Sequence, residues 1–223
     1  MRIAIIGAGR VGKSLGKALG AKGHHIAYGV REPSTLGDVP TKTVDGAIAG
    51  AEAIILATPW TAAEALVCEH APALFGKIVI DATNPLNPTE TRLALGFDTS
   101  GAELLQSHVH GATFFKAFNA TAVDVIANPQ FPQGRAAAFV AGPKGPQKNA
   151  VLRLVADVGL EAVDAGELRA ARLLEPLGML WLQLATIEGR GSERALVIAS
   201  REKSRPGAER PCALVQAEVN GQV

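Results

Sequence analysis

Cysteine is nearly absent from this chain: Cys68 and Cys212 are the only two in 223 residues, too few for a disulfide framework. Excess charge is missing as well. The formal net charge is +1 and no basic run is dense enough to follow a phosphate backbone, which argues against nucleic acid and favours a small charged ligand. Apolar runs such as Ala53 to Ala57 and Leu177 to Leu182 fall far short of the roughly twenty residues that span a bilayer, so no membrane partner is expected. A strand pattern that starts at Arg2 leaves no space for a signal peptide, and with so few thiols the expectation is a reduced, cytoplasmic protein. No repeat or second full-sized domain is visible, and the length suits one large domain with a small appendage. His108 and His110 share strand parity but lack a third ligand at useful spacing, so no metal site is expected.

What the chain does contain is a glycine turn near its start. Arg2 to Ile6 is an apolar run bounded by glycine, the pattern of a buried strand, and Val11, Leu15, Ala18 and Leu19 then recur at helical spacing. Gly7-Ala8-Gly9-Arg10-Val11-Gly12 joins the two. In a strand-turn-helix of this order Gly7 permits the tight turn, Gly9 lets the backbone approach a pyrophosphate, and Gly12 lets helix and strand pack closely. The phosphates then sit on exposed helix amides. A plain glycine-rich turn is the alternative, and the flanking strand and helix favour the dinucleotide.

The second strand, Gly23 to Val30, leads into the loop Arg31-Glu32-Pro33-Ser34-Thr35. NAD enzymes usually end this strand with a carboxylate for the adenosine ribose, whereas NADP enzymes offer an Arg to the 2′-phosphate. Glu32 has about the spacing of the first kind, but Val30 holds the last strand position and Arg31 follows with Ser34 nearby. NADP is favoured, and NAD stays open. The plain alternative for Arg31 is a solvated charge partnered by Glu32.

Thr43 to Gly50, Thr61 to Leu74 and Ser100 to His108 read as helices, while Glu52 to Ala57 and Lys77 to Asp81 read as buried strands. The first of these strands ends in Thr58-Pro59-Trp60, the second in the proline-punctuated loop Ala82 to Pro88, which contains Asn84. Ligands of open α/β sheets bind beyond the carboxyl ends of the strands, which puts Thr58, Pro59 and Trp60 at the groove, unless Trp60 is a helix-start residue packed on the surface. Asp81 is either a ligand contact or a cap of the loop after it. Thr113 to Asn119 is a fifth strand in which Phe114 and Phe118 share parity and point into packing, with Lys116 and Asn119 toward the nicotinamide end. Arg135 to Gly142 and Leu160 to Asp164 are later strands around a helix from Lys148 to Val158.

This alternation predicts an α/β fold with a parallel, doubly wound sheet and right-handed crossovers. Glu167 to Glu188 is the longest helix, with Ala170, Leu173, Leu174, Leu177, Leu180, Trp181 and Leu184 on one face and Pro176 as a bend. That face is core or a subunit interface. Residues 194–200 fit a strand or a helical turn, and residues 201–223 are unpatterned and expected to be poorly ordered or to pack on a neighbour.

Taken together, Gly7-x-Gly9-x-x-Gly12, Gly29-Val-Arg31-Glu-Pro33, Leu56-Ala-Thr-Pro59-Trp60, Asp81-Ala-Thr-Asn84-Pro85-Leu86, Lys116-Ala-Phe118-Asn119 and Ala165-Gly166-Glu-Leu-x-x-Ala-Arg172-x-x-Glu175-Pro176-Leu177 resemble the NADPH-dependent coenzyme F420 reductases, or F420-dependent NADP oxidoreductases. The similarity runs from Met1 to about Ser200. It implies a Rossmann-type domain over residues 1–120 and a small C-terminal lobe over 121–203 packing on the groove, which leaves the unpatterned residues 204–223 as a tail. It further implies a homodimer, with NADP and the deazaflavin coenzyme F420 meeting in the cleft. Archaeal members contact the 2′-phosphate with a Ser-Arg-Arg run, and the matching residues here are Val30, Arg31 and Glu32, so only Arg31 carries over.

Hydride transfer between a nicotinamide and a deazaflavin needs no protein nucleophile. The protein holds donor and acceptor carbons roughly 3–3.5 Å apart and excludes water. No triad or acid/base pair is visible, so no catalytic residue is assigned, and Asn84 and Asn119 are read as positioning groups. Two other functions stay open. One is a related NAD(P)-dependent reductase or dehydrogenase of a small imine, hydroxy acid or metal chelate, although those built on a long all-helical dimer domain need more chain than follows Asn119. The other is a sensor or interaction protein that binds NADP without turnover.

Overall fold

The structure is a computed structural model and describes residues 1–200 apart from 34, 37 and 38. Its first unit is β1 (Arg2–Ile6), α1 (Arg10–Gly20) and β2 (His25–Gly29). A hairpin of β3 (Thr35–Leu36) and β4 (Val39–Lys42) precedes α2 (Val44–Ile48) and β5 (Ala53–Leu56). Then α3 (Trp60–Glu69) and α4 (Ala71–Leu74) lead to β6 (Ile78–Asp81), and α5 (Gly101–Ser107) leads to β7 (Thr113–Lys116). After α6 (Val123–Ala127) comes a small hairpin of β8 (Gln130–Phe131) and β9 (Gly134–Arg135), followed by β10 (Ala137–Ala141), α7 (Pro146–Asp157), β11 (Glu161–Gly166) and α8 (Ala171–Leu182).

Nine of these strands form one sheet in the order β11-β10-β7-β6-β5-β1-β2-β4-β3. It is the Rossmann-type α/β architecture, with β1 between β2 and β5, all three parallel, and β6 and β7 continuing the ladder. The predicted parallel, doubly wound sheet holds from β4 through β2, β1, β5 and β6 to β7, with antiparallel pairings only toward its two edges. β3 runs antiparallel to β4, and β10 is antiparallel to β7 with Ala141 opposite Lys116, while β11 is parallel to β10. A buried apolar run looks the same in either direction, so its sequence carries no sign of which way it runs, and antiparallel edges on parallel sheets are common. The strands of residues 137–166 thus extend the same sheet.

Alternate strand residues feed two cores. Ile3, Ile5, Ile55, Ile80 and Phe115 pack with α1, α6 and α7 on one face, and Ala4, Ile6, Leu56, Val79 and Phe114 with α2, α3 and α5 on the other. The shared parity expected of Phe114 and Phe118 does not hold. β7 ends at Lys116, Phe118 takes φ +65°, and its ring joins the cluster of Phe115, opposite to Phe114.

The long C-terminal helix is composite: a 3₁₀ turn at Leu168–Ala170, then α8 with Pro176 inside it, then a π turn at Gln183–Ile187. Of its apolar stripe only Leu174 is buried. Ala171, Leu174, Glu175 and Gly178 are the buried residues, whereas Leu173 is 72% and Leu180 55% exposed. At Gly178 the helix comes so close to the loops after β6 and β7 that an added Cβ would lie 2.7 Å from Asn84 Oδ1. Residues 194–200 form no regular element, yet Ala137 donates its N–H to the Leu196 carbonyl at 2.7 Å and Trp181 Nε1 donates to the Arg194 carbonyl at 2.9 Å. The expectations for Ser34 and for residues 201–223 lie outside the described residues. No helix among the described residues is long and apolar enough to cross a membrane.

Candidate functional site

The glycine turn lies at the carboxyl end of β1. Gly7 has φ +108°, a conformation L side chains rarely adopt, and donates its N–H to the Gly29 carbonyl at 2.9 Å. A Cβ on Gly7 would stand 2.4 Å from the Ala57 carbonyl oxygen, and one on Gly12 would stand 2.0 Å from the Gly7 carbonyl oxygen. Both positions are closed to any side chain. Gly9 is different. It caps α1 with extended backbone, and a Cβ there would meet nothing within 4 Å. The space beside Gly9 is open, as close approach of a ligand backbone requires. Ala8 and Val11 pack partly into the core, so their side chains face inward.

No side chain caps α1, and no carboxylate sits in its first turn, which instead begins with the exposed Arg10. Unpaired first-turn amides and a positive helix end make this an anion cradle. After β2, Arg31 and Glu32 are both exposed, and neither forms an ion pair among the described residues. Beyond β5, Pro59 is exposed and caps α3, and Trp60 begins that helix with its ring against Gly101, where an added Cβ would lie 2.9 Å from the indole. Trp60 therefore packs between α3 and α5. Thr58 holds the most telling atom of the groove: its Oγ1 is buried without a hydrogen-bond partner. Such a group costs stability unless something supplies the missing bond.

Across the groove, Asn84 and Asn119 clasp each other. Asn84 Nδ2 donates to the Asn119 carbonyl at 2.7 Å, and Asn119 Nδ2 donates to Asn84 Oδ1 at 2.9 Å and to the Leu174 carbonyl at 2.7 Å. Both residues are partly exposed, so the pair reaches the cleft. Lys116 does not. It is fully buried beneath the groove, with Nζ 2.8 Å from Asp81 Oδ2 and 2.8 Å from Glu175 Oε1. Burial alone would lower its pKa, but the two carboxylates outweigh this and hold it above the usual lysine value, so it stays charged. Asp81 also accepts from Thr83 N at 2.9 Å and Thr83 Oγ1 at 2.7 Å, which makes it a loop cap as well as an ion-pair partner.

Glu175 and Arg172 carry more of the site's construction than their sequence positions announced. Glu175 accepts from the first two amides of α5, Gly101 N at 2.9 Å and Ala102 N at 3.2 Å. Arg172, one turn earlier, forks onto Glu103 with two bonds of 2.8 Å. Their i, i+3 spacing placed them on one helix face, but nothing local showed that the face meets the start of α5.

The geometry matches known proteins. Residues 2–85 fit the family described as NADP oxidoreductase, coenzyme F420-dependent. Over those residues the chain is similar to that family. A proposed F420-dependent NADP reductase of Arthrobacter sp. FB24 is similar over 90% of this chain and 100% of its own, with TM-score 0.81 and 27% identity. A hypothetical protein of Sinorhizobium meliloti is similar over 77% of this chain and 87% of its own, with TM-score 0.67 and 27% identity. Among curated proteins, the metalloreductase STEAP3 of Rattus norvegicus is 28% identical over 187 residues, 80% of this chain. The chain spans 37% of that relative's length.

Proposed function

We propose that the protein transfers hydride between NADP(H) and a deazaflavin of the coenzyme F420 type. The observation that carries the dinucleotide half is the groove beside Gly9, open where Gly7 and Gly12 are closed and bordered by the unpartnered Thr58 hydroxyl. These residues fit the cofactor. The α1 amides would hold the pyrophosphate, Arg31 the 2′-phosphate, and Thr58 Oγ1 a polar group farther along. When bound, the nicotinamide and deazaflavin supply the redox chemistry themselves. What the chain adds is a fixed wall, the Asn84–Asn119 pair, and the exclusion of water between donor and acceptor. The family match and the Arthrobacter structure support F420 as acceptor.

The exposed side of α8 supports the homodimer. Leu173 and Leu180 face outward, and Leu177, Leu180 and Leu184 continue into an apolar cavity of about 210 Å³ that Leu196 also lines. A contiguous apolar face of this kind marks an interface, and a second copy placing the same face against it makes an isologous contact. Light scattering of the eluted protein reads this directly: a dimer that Leu180→Glu dissociates supports it, and a monomeric unaltered protein rejects it.

Mixing the purified protein with NADPH and oxidised coenzyme F420, and following both absorbances, tests the reaction. Stoichiometric turnover supports the proposal. Binding of NADPH without turnover removes the deazaflavin and leaves a different acceptor, such as a metal chelate, or a sensor; no binding removes the dinucleotide half as well.

A further inference from the structure

Several groups converge on one carboxylate beneath the cleft. Glu175 is 1% exposed, and its two oxygens receive Lys116 Nζ and the first amides of α5. Because Lys116 also holds Asp81, the residue opposite it in the β6–β7 register, Glu175 ties α8 at once to the ends of both strands and to the start of α5. The residues around it on α8 grip the amide pair. The Leu174 carbonyl accepts from Asn119, and a Cβ on Gly178 would lie 2.7 Å from Asn84 Oδ1 and 3.0 Å from Asn119 Nδ2. Pro176, between them, has no N–H to return to the Arg172 carbonyl. The helix is thus short of a backbone bond where it approaches the groove, and the side-chain ties fix its height.

A buried ion cluster is no better for stability than apolar packing of the same volume. What it adds is direction, since a carboxylate bound to an ammonium and two amides has one placement where a leucine has many. We infer that Glu175 is a positioning residue for the nicotinamide end of the cleft, setting α8 over Asn84 and Asn119 so that the wall facing the reacting ring is held in one geometry. This rests on NADP(H) binding as proposed above.

Two probes on the full chain separate the halves of the cofactor. 2′,5′-ADP fills only the adenosine half, and NADPH adds a nicotinamide whose fluorescence reports its surroundings. With Glu175→Gln, which keeps the shape and removes the charge, 2′,5′-ADP binds as before while NADPH weakens about tenfold, the worth of one hydrogen bond from a displaced amide wall, and bound NADPH changes its emission. Gly178→Ala leaves the carboxylate intact and presses a methyl onto the amide pair; it gives the same split, and it decides alone if Glu175→Gln does not fold. Equal weakening of both probes, or unaltered NADPH binding and emission in a folded variant, would overturn the inference. If the unaltered protein binds neither probe, the NADP proposal fails and this inference falls with it, an outcome distinct from a loss seen only in the variants.

Discussion

A Cβ on Gly12 would come within 2.0 Å of the Gly7 carbonyl oxygen, so α1 can lie this close to β1 only while residue 12 has no side chain. Gly9, between them, is under no such constraint, for it has φ −74° and nothing within 4 Å of its missing side chain. The packing of the protein alone does not require a glycine there, whereas a pyrophosphate approaching the backbone would. Gly9→Ala is therefore expected to melt at the temperature of the unaltered protein while binding NADPH about tenfold or more weakly, a loss of at least roughly 1.4 kcal/mol. Calorimetric titration beside a thermal melt checks it, and a variant that keeps full affinity would show that no pyrophosphate approaches Gly9.

Arg31 is exposed at the end of β2, next to the exposed Glu32. If it meets the 2′-phosphate, Arg31→Ala should weaken NADPH much more than NADH, by about tenfold or more for a charge-assisted contact. Glu32→Ala should move the preference further toward NADPH, because the carboxylate repels that phosphate and accepts from a ribose hydroxyl. Equal losses for both nucleotides in parallel titrations would remove Arg31 from the contact.

Much of the fold was legible because buried strands and the glycine turn leave local signatures: runs such as Ala53 to Leu56 are apolar at every position, and all four of those residues are buried. Direction and pairing left none. β10 reads like the parallel strands of the sheet, and the β3–β4 hairpin is too short and polar to show a period. Lys116 is the plainest case. A lysine closing the run Thr113-Phe-Phe looks like a group emerging toward a ligand, and its burial depends on Asp81, 35 residues earlier, and Glu175, 59 residues later. One sign was present: Asp81 closes the preceding buried run as Lys116 closes its own, and adjacent parallel strands put those ends side by side. The α8 stripe left core and interface undecided for a related reason. Helical spacing showed where the leucines gather but not which side meets the sheet, and Gly178 and Glu175 mark that side more faithfully.

The tie between α8 and α5 should show in acid. The two bonds from Arg172, helped by the Ser100 hydroxyl, hold the Glu103 carboxyl below the usual glutamate range against the opposing effect of its partial burial. A carboxylate whose folded pKa is depressed adds stability above its unfolded pKa of about 4.3 and loses it as pH falls through the lower folded value. Arg172→Ala should therefore melt below the unaltered protein at neutral pH, with the gap narrowing as pH drops below about 4. A gap that stays constant over that range would mean that the arginine stabilises through packing instead of charge.

Thr58 offers the sharpest separation of stability from binding. Its Oγ1 is buried with no partner, and an unmet buried hydroxyl costs about 1–3 kcal/mol. Valine has nearly the same shape and no such debt, so Thr58→Val should leave the ligand-free protein as stable as before or more stable by up to about 1 kcal/mol. If the hydroxyl is reserved for the cofactor, the same change should weaken NADPH by about tenfold, since one hydrogen bond in the complex is lost. Melting curves with and without saturating NADPH carry both readings at once: the ligand-free midpoint holds or rises while the ligand-induced shift shrinks. A variant whose shift is undiminished would show that Thr58 serves no ligand, and that its unpaired hydroxyl is a cost the fold simply bears.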